Sequence, residues 1–230
     1  MSGEQQHHGA FFGRRKGHPL RARQAELFGS LLPQLAIDLT SPAPNELQAL
    51  FPDAVDRVRL EIGFGGAEHL IGQAQSHPRT GFIGCEPFVN GMAKALTAID
   101  DLGLTNVRLH HGDALDLLRW LPPQSISRID LLYPDPWPKR RHWKRRFVSD
   151  GNVAAFAHVL ASGGEFRFAT DWANYAEWAL LRFLRSCDFT WVAERADDWR
   201  TPWTGFSGTR YEAKAVREGR APTYLVFRRA

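Results

Sequence analysis

From residue 58 to residue 185 the chain alternates short apolar runs with stretches in which apolar residues recur at helical spacing. Runs at 58–63, 81–86, 107–111, 127–133 and 165–170 read as strands, and 89–102, 152–160 and 174–185 read as helices. A strand that is apolar on both sides must be covered on both faces. Strand–helix alternation supplies that cover through crossover connections, which keep neighbouring strands parallel. The expected fold is therefore α/β: a mostly parallel, seven-stranded, doubly wound sheet with helices on both faces. No convincing helix separates the last two strand-like runs, 189–194 and 224–229, which are expected to close the sheet as an antiparallel pair.

Ahead of this pattern, residues 1–20 are polar, basic and glycine-bearing, and 21–35 mix charged with apolar residues at helical spacing. Pro42, Pro44 and Pro52 then interrupt regular structure. The organisation read from this is a basic arm and leading helix over 1–35, a linker over 36–57, and one α/β domain over 58–230. At 230 residues, 43% hydrophobic and 23% charged, the chain is long enough to bury a full core and is not expected to be disordered. Cys85 and Cys187 stand far apart, which excludes a disulfide framework and paired zinc-ligand spacing, so no metal is expected. The first residues lack the apolar core of a signal peptide and no stretch has the length of a membrane span. A cytoplasmic protein is expected. No pattern fixes whether it is a monomer or a homodimer.

The first strand runs into Glu61-Ile62-Gly63-Phe64-Gly65-Gly66-Ala67-Glu68. Gly63 and Gly65 suit a sharp turn at which a ligand approaches the backbone, the signature of a nucleotide-like cofactor. Glu68 stands where a dinucleotide fingerprint requires its third glycine, and Glu61 precedes the loop. Carboxylates there repel a pyrophosphate but complement the ammonium and sulfonium of S-adenosylmethionine, which carries no phosphate. This weighs against a nicotinamide-dependent oxidoreductase, the rival reading of such a sheet. Glu86 ends the second strand 23 residues after Gly63, close to the spacing of about 20 at which an acid takes ribose hydroxyls. Asp113 follows the third strand, in reach of an adenine amino group. Each acid alone also fits a helix cap. All of them, with the glycines, fall at carboxyl ends of strands, where open α/β sheets bind ligands.

The fourth strand runs into Tyr133-Pro134-Asp135-Pro136-Trp137-Pro138. A residue before proline is pushed toward extended backbone, so Tyr133, Asp135 and Trp137 are all expected to be extended, in a stiff loop that presents Asp135. Directly after it, Lys139-Arg140-Arg141-His142-Trp143-Lys144-Arg145-Arg146 packs six permanently basic residues into eight positions. A charge run is often only a solvated face. Beside a candidate catalytic loop it reads as a phosphate-binding ramp, and the net charge of +4 accords with a polyanionic partner. Arg14, Arg15, Lys16, Arg21 and Arg23 form a second basic cluster. Asp171 ends the fifth strand, and Thr209-Arg210-Tyr211-Glu212 follows a glycine-bearing loop of the kind used in base recognition.

Taken together, Leu60-Glu61-Ile62-Gly63-Phe64-Gly65, Gly84-Cys85-Glu86, the proline-framed Asp135 motif through Lys139, the basic run from Arg141 and Thr209-Arg210-Tyr211-Glu212 resemble the bacterial TrmB family. These are tRNA (guanine-N7)-methyltransferases of the class I, Rossmann-like, S-adenosylmethionine-dependent fold. The resemblance spans nearly the whole chain after the arm. It implies cofactor contacts at Glu61, Glu86 and Asp113, and a catalytic Asp135 that touches both cofactor and target. It implies substrate contacts at Lys139, Asp171, Thr209, Arg210, Tyr211 and Glu212, and RNA contacts at Arg141, His142, Trp143, Lys144, Arg145 and Arg146. The implied target is guanine 46 in the variable loop of tRNA. Two positions depart from the pattern: Ala67 stands where many class I enzymes carry a third loop glycine, and Tyr133 where the family often has Phe. A guanine N7 carries a free lone pair, so Asp135 is expected to orient the base and stabilise its developing positive charge rather than to remove a proton.

Overall fold

In the computed structural model, which describes Gly13 and residues 15–230, seven strands form one sheet in the order β3-β2-β1-β4-β5-β7-β6. The strands are β1 (Arg57–Ile62), β2 (Thr80–Cys85), β3 (Val107–His110), β4 (Ile126–Leu132), β5 (Leu160–Thr170), β6 (Phe189–Trp191) and β7 (Thr223–Arg229). The first five are parallel, and β7 runs antiparallel to both β5 and β6. The expected terminal antiparallel pair is thus present, with β7 inserted between β5 and β6. Every residue of β2 is buried, as the continuous apolar run requires of a strand covered on both faces.

The helices are α1 (Ala22–Ser30), α2 (Leu32–Leu35), α3 (Glu68–Ser76), α4 (Val89–Leu102), α5 (Ala114–Trp120), α6 (Asp150–Val159), α7 (Ala173–Arg185), α8 (Asp197–Arg200) and α9 (Arg210–Arg217). One apolar cluster joins α1, α3 and α4 to β2 and β3 through Leu27, Leu70, Met92, Leu96 and Leu109. A larger one joins α5, α6 and α7 to the centre of the sheet through Leu117, Phe156, Phe166, Phe183 and Phe227. Phe183 stacks on Phe227 with ring centroids 4.0 Å apart. Two separate clusters on one sheet are what a doubly wound architecture produces.

Three local differences from the sequence pattern have clear causes. The helical stretch 21–35 divides at Leu31, which places Pro33 in the first turn of α2, where its missing N–H costs nothing. Residues 36–57, expected as a linker, send Ile37, Leu47, Phe51 and Val55 into the core. Between β6 and β7, where no helix is expected, α8 and α9 form. Thr209-x-x-Glu212 has the spacing of a capping box, and the Thr209 hydroxyl accepts from the Glu212 N–H at 3.1 Å, so the helix start was legible in that spacing.

The described part of the arm lies against the start of α4. Val89 N–H donates to the Arg15 carbonyl at 3.0 Å, and Asn90 accepts from Gly17 N–H and donates to the His18 carbonyl, both at 2.8 Å. Arg23, counted with the arm's basic cluster, pairs with Asp100 and Asp101. Arg14 and residues 1–12 of that arm lie outside the described residues.

Candidate active site

Along the sheet, β1 continues through β2 to β3 on one side, while β4 returns to the other side of β1. This reversal leaves a crevice at the carboxyl ends of β1 and β4, where Ile62 pairs with Leu131. The glycine loop fills one wall. Gly63 (φ 70°) and Gly65 (φ 56°) both take left-handed backbone, which explains glycine at each. Ala67, at the position of the absent third glycine, takes the same conformation (φ 67°) and is buried.

Glu86 clamps this loop. Its carboxylate accepts from Gly65 N–H at 2.7 Å and from Phe88 N–H at 2.9 Å, so the end of β2 and the loop after β1 are tied together. Burial raises its pKa, against the opposing pull of the two backbone donors. The start of α4 also comes close: a Cβ at Gly91 would lie 2.3 Å from the Gly65 carbonyl oxygen. Asp113 caps α5 by accepting from Leu115 N–H at 2.9 Å, so the helix-capping reading holds for one of its oxygens.

Glu61 sits inside β1 rather than at its mouth, with 4% of its surface exposed. Its carboxylate meets His69 Nδ1 at 2.8 Å. Burial raises the Glu61 pKa. Burial alone would lower that of His69, but the charge and hydrogen bond of Glu61 raise it, so the pair holds a proton tightly. His69 and Gln73 lie four residues apart on one face of α3. Below them Gln73 accepts from Arg128 at 2.9 Å and donates to the Gly205 carbonyl at 2.8 Å, while Arg128 is held by Asp130 at 2.8 Å. This buried polar chain links the sheet to the loop before α9, and the helical spacing of His69 and Gln73 was the signal for it.

The opposite wall is the loop after β4. It begins where Tyr133 N–H donates to the Ala169 carbonyl of β5 at 2.7 Å. Contrary to the expectation of extended backbone before proline, Tyr133 (φ 50°) and Trp137 (φ 44°) are left-handed. Such conformations cost about 1–3 kcal/mol each and persist only where surrounding contacts impose them. Between them, Asp135 is exposed at the crevice. Nearby protein atoms nevertheless raise its carboxyl pKa by desolvation. Its charge in turn acts on Glu86, so the two walls of the crevice are electrostatically joined.

Beyond the loop, Arg140–Arg145 form a 3-10 turn with no buried residue. Lys139, Arg140, Arg141 and Lys144 are exposed, and Arg145 lies over the Trp137 ring at 4.9 Å. His142 meets the same ring edge-on at 5.9 Å, and Trp143 packs on Trp178 at 5.6 Å. Arg146 corrects the expectation of an RNA-facing residue. It is 3% exposed, with its guanidinium turned into the protein among aromatic rings.

The remaining expected substrate residues gather on the crevice's far side. Asp171 accepts from Arg220 Nε at 2.6 Å, a partner the sequence did not indicate. Tyr211 lies against Gly65, and Arg210 lies over the Tyr211 ring at 4.9 Å and within 4.0 Å of Glu68. The Glu212 carboxylate accepts from the Tyr224 hydroxyl of β7, so β7 anchors the Thr209-Arg210-Tyr211-Glu212 segment. Among the described residues, no group of three potential metal ligands converges, and no helix is long and apolar enough to cross a membrane.

Comparison with known proteins places this geometry in context. A family model described as a putative methyltransferase matches residues 56–225. A tRNA (guanine-N(7)-)-methyltransferase from Rhodopseudomonas palustris (strain BisA53) is 60% identical over 222 residues, 96% of this chain and 89% of that protein. Proteins of the same name from Bradyrhizobium diazoefficiens and Rhizobium meliloti (strain 1021) are 60% and 59% identical over 221 residues, again 96% of this chain and 94% and 95% of theirs. Among solved structures, the 16S rRNA methyltransferase KamB superposes with a TM-score of 0.56 at 16% identity, covering 76% of this chain and 89% of that one. The aminoglycoside resistance methyltransferase NpmB1 gives 0.54 at 14% identity, covering 77% and 89%. At such identities the likeness speaks to the fold alone, and the fold is that of class I methyltransferases.

Proposed function

The chain belongs to the TrmB family of bacterial tRNA (guanine-N7)-methyltransferases, and from that premise we propose that it methylates N7 of guanine 46 in the variable loop of tRNA. The observation that carries the reading is the position of Asp135. It is exposed between a glycine loop clamped by an acid and a turn of exposed basic residues.

The donor set fits S-adenosylmethionine. The left-handed glycines open the backbone to a ligand, and the Glu86 carboxylate on Gly65 and the Glu68 carboxylate at Gly66 suit a cationic cofactor, while Arg210, a cation that also reaches Gly65, is drawn toward Glu68. When bound, the cofactor supplies an electrophilic methyl group on a sulfonium. Gly63 and Gly65 line its path. Glu86, with a second lone pair on each clamping oxygen, takes the ribose hydroxyls, and Asp113 reaches the adenine with the oxygen not used in capping. Glu61, expected from the sequence as a cofactor contact, is buried and bound to His69, and serves the site through the end of β1 that leads into the loop.

Guanine N7 has no proton to lose, so Asp135 orients the base and offsets the positive charge that develops on the purine. By analogy with preorganised groups of this kind, its contribution is about 3–4 kcal/mol. Lys139, Arg141, Lys144 and Arg145 take phosphates, His142 and Trp143 frame the same turn, and Asp171 with Thr209, Arg210, Tyr211 and Glu212 receives the base. The test is incubation of the chain with labelled S-adenosylmethionine and unmodified tRNA, followed by nucleoside analysis and mapping of the modified site. Labelled 7-methylguanosine at position 46 is expected. A different methylated nucleoside overturns the regiochemistry, and 7-methylguanosine elsewhere overturns the site.

A further inference from the structure

Arg146 is the last of the basic run and the one buried member of it. Its Nε donates at 2.9 Å to the carbonyl of Pro136, the residue immediately after Asp135. Its two Nη atoms donate to Asn174, at the first turn of α7, at 2.8 Å to the side chain and 3.4 Å to the backbone. The guanidinium carbon lies 4.7 Å from the Trp143 ring, 4.9 Å from that of Tyr175 and 5.1 Å from that of Trp178. Among the described residues no carboxylate comes within ion-pair distance of it. A buried cation without a counter-ion is costly, and here aromatic faces and carbonyl oxygens compensate instead. A contact to RNA phosphate gives no reason for such burial, whereas the bond to Pro136 does.

The loop carrying Asp135 is held at its start by Tyr133 N–H on Ala169, and Tyr133 and Trp137, each directly before a proline, are left-handed. Left to local preference, a strained loop relaxes, and Asp135 moves with it. We infer that Arg146 is a positioning residue for Asp135: it fixes the Pro136 peptide to α7 and so holds the carboxylate where the base is methylated. This rests on the assignment of Asp135 above. Lysine can replace it only in part, because one ammonium cannot span Pro136 and Asn174 at once while lying flat among the rings.

The test compares wild type with Arg146→Met, Arg146→Lys, Asp135→Asn and the combined Asp135→Asn, Arg146→Met chain. Single-turnover methylation at saturating cofactor and tRNA, tRNA affinity and melting temperature are measured for each. Arg146→Met is expected to slow methylation by about ten- to a hundredfold, the range in which misplacement of a catalytic group by about 1 Å falls. Its tRNA affinity should stay within about twofold, with Arg146→Lys recovering part of the rate. In the combined chain, loss of Arg146 should add almost nothing to the loss of Asp135, because the one acts through the other. A general loosening of the fold would instead multiply the two effects and overturn the inference. Weaker tRNA binding at an undiminished rate would return Arg146 to an RNA contact. Should Arg146→Met fail to fold, Arg146→Lys and its combination with Asp135→Asn give the same decision. If wild type itself makes no 7-methylguanosine, the assigned reaction fails and this inference with it; a normal wild type with an unaffected Arg146→Met fails the inference alone.

Discussion

Protein atoms crowd the Asp135 carboxylate and raise its pKa, so the folded chain binds a proton there more tightly than the unfolded chain does. The sign of the linkage follows: the ionised group opposes folding at neutral pH, and that opposition fades as pH falls through its raised pKa. Asp135→Asn should therefore melt no lower than wild type at neutral pH, while its methylation rate drops by about a hundred- to thousandfold. Paired melting curves and single-turnover rates check this, and a lower melting temperature together with the slower rate would assign Asp135 a structural role. The same shift sets the pH profile. Since the carboxylate is the working form, the wild-type rate should hold above the raised pKa and decline below it. The acid limb should then lie above the ordinary aspartate value of about 3.9 and vanish in residual Asp135→Asn activity. The sequence identified Asp135 through its prolines but did not foresee its left-handed neighbours. The proline rule describes a local preference, and here the Ala169 and Arg146 bonds on either side override it.

Among elements, the approach of α4 to the glycine loop is the tightest constraint on the site. A methyl at Gly91 would meet the Gly65 backbone oxygen at 2.3 Å, and backbone cannot swing aside as a side chain can. Gly91→Ala should cost about 1–3 kcal/mol in stability and weaken the shift of melting temperature produced by S-adenosylmethionine. Gly29→Ala in α1, where nothing lies within 4 Å, is the control and should leave both unchanged or raise stability slightly. Unchanged cofactor protection in Gly91→Ala would detach α4 from the site. The boundaries of α4 were fully legible as 89–102, because an amphipathic helix packed on the sheet repeats its burial every turn. Helix α9 was not legible as such. Its one buried residue is Ala215, so there is little apolar periodicity to read, and only the Thr209-x-x-Glu212 cap marks its start.

At the scale of the whole molecule, the densest run of basic residues in the sequence, Lys139 to Arg146, lies on the turn beside Asp135. Replacing Lys139, Arg141 and Lys144 together with Ala should flatten the dependence of log tRNA affinity on log salt by about 0.7–0.9 for each phosphate contact removed, and should leave cofactor protection intact. Binding titrations across a salt series check this, and an unaltered slope would move the tRNA backbone to another face. The basic run itself was visible in the sequence, as were the alternation of strands and helices and the acids near strand ends. Those features are local: burial repeats along an element, and a strand end is marked by the residues that stop it. What only the tertiary structure decided was the direction in which each charged group faces. Arg146 turns inward to Pro136, Glu61 pairs with His69, Asp171 pairs with Arg220, and Glu212 is held by Tyr224. Of these pairings, Asp171 with Arg220 joins residues 49 apart, the others join residues 8 to 12 apart across different elements or loops, and none follows a repeat. No periodicity records such contacts, because the partner of a buried charge is set by which elements the sheet brings together.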